Sequence, residues 1–267
     1  MDRQQQLQKD ALKGFQENIQ PGRISGVMLI FEGTNDTGQT GDLSDLGTAI
    51  IKRKGRTLIN RPMDVFGEMG NIRAGNNLFS STEASDFLAS VFIPFYALSF
   101  EQALNITGDS ELNFEWVPAG SSGTVFTTMQ VTAYAQRSFR QEFYEYTILG
   151  QDQTENGAVT NRTYQLNTQN ITEIYLTDPD NIVSSLELRQ DGEQRFSIQS
   201  WDAYLAGTIY DNSLEVQNFD MIQLETYTKG QPLSAVNNDS VIGLTTTGGG
   251  TVPITVCAIR PTGDFFG

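Results

Sequence analysis

The chain has 267 residues, no histidine and one cysteine, and 17 Lys+Arg against 32 Asp+Glu leave a formal net charge of −15. The missing histidines exclude His-based triads, His general bases and His metal sites; the lone Cys257 excludes an intramolecular disulfide, a Cys-rich zinc site and a CxxC redox pair. The acidic balance opposes binding to phosphate backbones, and 16 Phe with nine Tyr argue for a packed chain rather than a disordered one.

Residues 1–20 are expected to form an amphipathic helix. Leu7, Ala11, Phe15 and Ile19 recur every four residues, with Leu12 beside them. Arg3, Lys9, Asp10, Lys13 and Glu17 occupy the other faces, and Pro21-Gly22 stops the helix. Residues 1–22 thus read as an N-terminal helical arm. Its apolar stripe needs cover from its own domain, a neighbouring subunit or a membrane. No run of about 18 apolar residues and no leader-like opening is present, so neither a membrane span nor a secretory signal is expected.

After residue 22 the texture becomes short strands and turns. Ile24–Phe31 is an apolar strand, and Gly33–Gly47 a polar loop. Thr48–Ile51 and Arg56–Ile59 flank Lys52-Arg53-Lys54-Gly55 and read as a hairpin. Pro62–Met69 suits a short helix with proline in its first turn. Val91–Tyr96, Leu112–Val117 and Val125–Ala135 are strand-like. The second half offers Thr163–Leu166, Ile171–Thr177, Val183–Leu188, Gln194–Ile198, Met221–Tyr227, Val241–Thr246 and Val252–Ile259. Cys257 in the last of these reads as a buried strand thiol, and Ser200–Ile209 as a short capped helix.

The order of elements repeats. Gly55 is followed by strand Arg56–Ile59 and a short helix, and Gly192 by strand Gln194–Ile198 and a short helix. Downstream, Val91–Tyr96 aligns with Ile222–Tyr227; Gly120-Ser-Ser-Gly-Thr-Val and Thr247-Gly-Gly-Gly-Thr-Val each precede a final strand. Two tandem β-sandwiches, 23–150 and 151–267 with a C-terminal tail, would produce this echo. The polar stretch Gly150–Asn161 has linker chemistry.

A jelly roll packs eight short strands into about 120 residues, and the six and seven strands read in the two halves suit it, so the fold class is all-β: two tandem jelly-roll β-sandwiches with short loop helices and an N-terminal amphipathic helix. The duplication, the terminal helix, the acidity and the missing catalytic equipment resemble the double-jelly-roll major capsid proteins of tailless, membrane-containing icosahedral bacteriophages, of the corticovirus and tectivirus type. The resemblance implies a structural virion protein, not an enzyme, with no catalytic residues, metal or cofactor. It implies homotrimeric, pseudo-hexagonal capsomers tiling an icosahedral shell over an internal membrane, assembled in the host cytoplasm. Its expected partners are neighbouring capsomers, minor capsid proteins and the viral inner membrane, with no direct contact to nucleic acid. The alternatives are a viral spike or vertex protein, a carbohydrate-binding β-sandwich using Trp116 or Trp201, and a hydrolase with paired carboxylates.

Three groups are candidates for interaction. Leu7, Phe15 and Ile19 form the arm's stripe. Lys52, Arg53, Lys54 and Arg56, with Arg61 nearby, put five of the 17 basic residues in ten positions without an intervening acid. They suit a solvated hairpin tip, or docking on an acidic neighbour or anionic headgroups. Phe265 and Phe266 stand at the end of the sequence. Asp178-Pro-Asp180-Asn181 is a turn first and a candidate Ca²⁺ loop second. Gly248-Gly249-Gly250 is no P-loop, because no Gly-Lys-Ser/Thr follows.

Overall fold

The computed structural model describes residues 6–34, 41–74, 79–83, 86–97, 101–155, 161–165, 170–177, 183–190, 192–198, 221–225, 240–246 and 250–262. The chain divides into two compact units: Met1–Leu149 with Arg260–Gly267, and Gly150–Ile259.

The first unit opens with strands β1 (Gln6–Asp10), β2 (Phe15–Ile19) and β3 (Gly22–Thr34). A 3-10 turn at Leu43–Asp45 leads to the hairpin β4 (Gly47–Arg53) and β5 (Arg56–Pro62), then to helix α1 (Met63–Ala74). Strands β6 (Phe79–Glu83), β7 (Asp86–Pro94), β8 (Leu104–Ile106) and β9 (Leu112–Pro118) follow. The one-turn helix α2 (Ser122–Val125), β10 (Thr128–Arg137) and β11 (Tyr144–Glu155) complete the series. One sheet runs β1-β10-β3-β7-β6, with β8 also on β3; within this unit the other runs β11-β5-β4-β9-β2.

The two sheets bury their inner faces on each other. Phe31 of β3 meets Trp116 of β9 at a ring separation of 5.2 Å, and both are buried. The indole of Trp116 donates to the Ala11 carbonyl at 3.0 Å, so this large side chain leaves no polar atom unsatisfied. Each such fully buried apolar side chain contributes about 1.5–3 kcal/mol. Along β3 the inward phase changes from Ile24 to Val27, Leu29 and Phe31. A bulge explains the switch: Gly26 faces Gln136 while Ile24 faces Arg137, leaving Ser25 as the extra residue.

The second unit holds β12 (Asn161–Gln165), β13 (Ile171–Thr177), β14 (Val183–Gln190), β15 (Glu193–Ile198), β16 (Met221–Glu225), β17 (Ser240–Thr246) and β18 (Gly250–Pro261). Its strand order copies the first unit. The sheet β5-β4-β9-β2 returns as β15-β14-β17-β12, and β10-β3-β7 returns as β18-β13-β16. The copy extends to the turns. Gly55 and Gly192 have φ of 80° and 78°, each between tightly paired strands: Arg53 faces Arg56, and Gln190 faces Glu193. Cys257 is a fully buried strand thiol.

The N-terminal helix is corrected. Residues Gln6–Asp10 and Phe15–Ile19 are strands, and a turn at 11–14 passes the chain from one sheet to the other. A spacing of four is compatible with a helix, but it is also twice the strand period of two. Here it keeps Leu7, Ala11, Phe15 and Ile19 on one side, while Gln8, Asp10, Gln16 and Asn18 are exposed. The inward set includes Lys9 and Glu17, which pair at 2.5 Å, so charge masked the alternation. Asp10 ends β1 by accepting the Leu12 N–H and by pairing with Lys13, which lowers its pKa. The apolar stripe is covered within the unit: Ala11 and Ile19 are buried, and Phe15 packs edge-on against Phe114. The expected helix at Pro62–Met69 is present as α1, whereas the one at Ser200–Ile209 lies outside the described residues.

Candidate interaction surface

The β4–β5 hairpin closes through Lys54 and Gly55, both with positive φ, 49° and 80°. Two successive left-handed residues make a type I′ turn, whose twist matches that of paired strands. The Lys54 N–H donates to the Glu111 carbonyl at 2.8 Å and fixes the turn against the start of β9. The hairpin thereby brings Lys52, Arg53, Lys54 and Arg56 together, but it is not a bare basic tip.

Arg53 is the centre of an ion-pair network. Its side chain is 11% exposed, and those of Glu111 and Glu142 are 4% and 9%. Nε donates to Glu111 at 2.9 Å, Nη1 to Glu142 at 2.5 Å and Nη2 to the Asn105 carbonyl at 3.0 Å. Glu111 also accepts from the Thr107 N–H and hydroxyl, both at 2.9 Å, and Glu142 from the Asn105 N–H at 2.6 Å. Burial opposes the Arg53 charge, yet Glu142 and then Glu111 outweigh it and raise its pKa. Burial likewise pushes Glu111 up, but the Thr107 N–H, Arg53 and the Thr107 hydroxyl together bring it down to about 2. Lys52, Lys54 and Arg56 are paired less deeply, while Arg61, further along β5, is buried. Lys52 meets Glu115 at 2.5 Å, Arg56 meets Glu145 at 2.9 Å, and Lys54 is 3.5 Å from Glu111 with its side chain 72% exposed.

Around this network lies a cleft of about 620 Å³ within the first unit. Arg23 of β3, Asn105 of β8, Gln141 and the segment Arg260–Thr262 complete its walls. Thr262 is pinned there, its N–H and hydroxyl both donating to the Phe143 carbonyl. The segment 138–143 lies beside it. Arg23 donates to the Phe139 carbonyl at 3.4 Å, Arg140 pairs with Glu101, and Phe139 projects into solvent with 94% of its surface exposed.

Leu7, Phe15 and Ile19 do not line this cleft; they belong to the strands described above. Phe265, Phe266, Trp201 and the Asp178–Asn181 turn lie outside the described residues. Trp116 is buried core, which removes it as a sugar platform. Glu111, Arg23, Phe139 and Arg260 are members that sequence reading missed; Glu142 and Glu145 stand out in the sequence as a carboxylate pair, but not as partners of the basic hairpin. The acids stand 58 and 89 residues from Arg53, and only strand pairing brings them together. One signal was available: a large aromatic in the polar run Arg137–Glu142.

No protein-family model and no curated protein sequence matches the chain. Solved structures do. The major capsid protein of Sulfolobus Turreted Icosahedral Virus aligns with a TM-score of 0.73 at 10% identity, covering 97% of this chain and 96% of that one. The major capsid protein of bacteriophage PM2 aligns at 0.64 and 12% identity, covering 98% and 99%. A chain of the PBCV-1 virus capsid aligns at 0.62 and 10% identity, covering 96% and 93%. At such identities the likeness establishes the fold, and that fold is the double jelly roll.

Proposed function

We propose that the chain is a capsid subunit, the major protein of an icosahedral virion shell, and that it is structural rather than enzymatic. The observation that carries this reading is the completeness of the likeness in both directions. About 97% of this chain and 96% of the Sulfolobus virus protein are matched, so the likeness runs through both units of the fold rather than through one. The neighbours include both a Sulfolobus virus and a bacteriophage, so the fold does not single out a bacteriophage. In this reading the chain's main partner is itself, its place is the virion, and assembly follows synthesis in the host cytoplasm. Minor capsid proteins join the shell.

Three copies bring six jelly rolls around one axis and give a nearly hexagonal tile, and closed cyclic association is the usual outcome for a soluble homo-oligomer. The trimer is therefore the expected capsomer. A chain of net charge −15 is a poor lining for a genome; an internal membrane or a basic protein is expected between the two.

Light scattering across a size-exclusion peak tests this reading. The expected mass is three times 29.5 kDa, with hexagonal outlines or shells in negative stain. A folded chain that remains a monomer at tens of micromolar, and that forms no particle, overturns it.

A further inference from the structure

We infer that the Arg53 cleft, with Phe139 beside it, is the surface on which a second copy of this chain docks an acidic segment. This rests on the shell-subunit reading above and locates one contact within it. Five Lys/Arg and three Glu line the cleft, a surplus of two positive charges in a chain of net charge −15. The three carboxylates are already committed. Glu111 and Glu142 are held by Arg53 and by the N–H groups of Thr107 and Asn105, and Glu145 is held by Arg56. The spare positive charge is therefore that of Arg23, Lys54 and Arg260. Among the described residues the Arg23 side chain meets only the Phe139 carbonyl and the Arg260 side chain makes no hydrogen bond or ion pair, and the Lys54 side chain is largely exposed.

Arginines flanked by an exposed aromatic make the composition of a protein-binding hot spot. Charge identifies the occupant: outside the cleft this chain is strongly acidic, so another copy supplies carboxylates in excess. Nucleic acid and anionic lipid fit less well. Both present dense phosphates, which the cleft's three glutamates oppose.

Self-association is the measurement, by sedimentation velocity of the full chain over a range of concentrations. Because two copies of charge −15 repel, adding negative charge anywhere weakens association; the comparison must hold net charge constant. Arg260→Glu is set against Lys13→Glu, whose side chain is 80% exposed in the β1–β2 turn near the far end of β9. Phe139→Ser changes no charge. The expected result is at least a tenfold weaker dissociation constant for Arg260→Glu than for Lys13→Glu. A similar loss is expected for Phe139→Ser, with circular dichroism and melting as in the wild type. If Arg260→Glu and Phe139→Ser associate as Lys13→Glu and the wild type do, the cleft is overturned while the shell reading stands. A wild-type chain that never associates overturns both. Co-sedimentation with phosphatidylglycerol vesicles that Arg260→Glu abolishes, without any effect of that variant on self-association, assigns the cleft to lipid and overturns the proposal.

Discussion

Arg53 shows how a surface cation becomes an internal one. Its guanidinium satisfies two carboxylates and a carbonyl at once, which a lysine's point charge cannot do with the same geometry. Arg53→Met leaves Glu111 and Glu142 buried without their counter-ion, and an uncompensated buried charge costs about 3–5 kcal/mol. Urea unfolding should show that loss. Glu111 adds a pH signature. Its folded pKa of about 2 lies below its ordinary 4.5, so its charge stabilises the fold fully above about pH 4.5. That contribution is lost as pH falls from there towards 2. Glu111→Gln should therefore flatten the acid limb of the stability curve in that window and leave its shape above pH 5 unchanged. The network was half legible in the sequence. The cluster of cations stood out by proximity along the chain, but their partners sit on other strands, and no spacing rule reaches across a sheet.

At the scale of elements, pairing decides what periodicity leaves open. A four-residue spacing at the N-terminus fits a helix and a strand alike, and the unpaired edges of β9 and β10 settle it. Their open N–H and C=O groups are satisfied by β2 and β1, which a helix could not do. Deleting residues 1–20 should accordingly lower the melting temperature by about 10 °C or more and promote aggregation, rather than remove a dispensable arm. Differential scanning calorimetry would detect it. Most other strands were legible because alternation and β-branched runs survive where charges stay on the outer face; β6, β8 and β11 were not expected, and β11 runs to Glu155 through part of the stretch read as a linker. Gly47 is a second test of an element's start. Its φ of 139° suits glycine, and a Cβ there would lie 2.4 Å from the Val117 carbonyl oxygen and 2.9 Å from the Trp116 ring. Gly47→Ala should cost about 2–4 kcal/mol, measured by chemical denaturation.

For the whole molecule, the informative property is repetition combined with charge. The same seven-strand order appears in both units, and the echo at Gly55 and Gly192 was its trace in the sequence. Less of it was legible than exists, because side-chain identities have drifted while the turns that need positive φ have not. The −15 charge yields a prediction at this scale. Filter-binding at physiological salt should find no submicromolar affinity for double-stranded DNA, since the cationic cleft is small and already half neutralised. Salt-sensitive submicromolar binding would contradict it.

The hydrogen bond from the Trp116 indole to the Ala11 carbonyl spans 105 residues of chain, and Gln8 reaches across 122 to Gln130. That separation is also a delay. At translation rates of about 5–20 residues per second, the first strands leave the ribosome some 5–20 s before the strands they pair with. Until then Leu7, Phe15 and Ile19 have no sheet to join. The two sheets of the first unit therefore take up their first strands only about halfway through synthesis, and proteolysis of stalled nascent chains should find the N-terminus cleavable until Leu112–Arg137 has emerged. In the shell reading proposed above, this timing delays association: neighbouring chains on one messenger remain incompetent to dock until each has closed its own sheets.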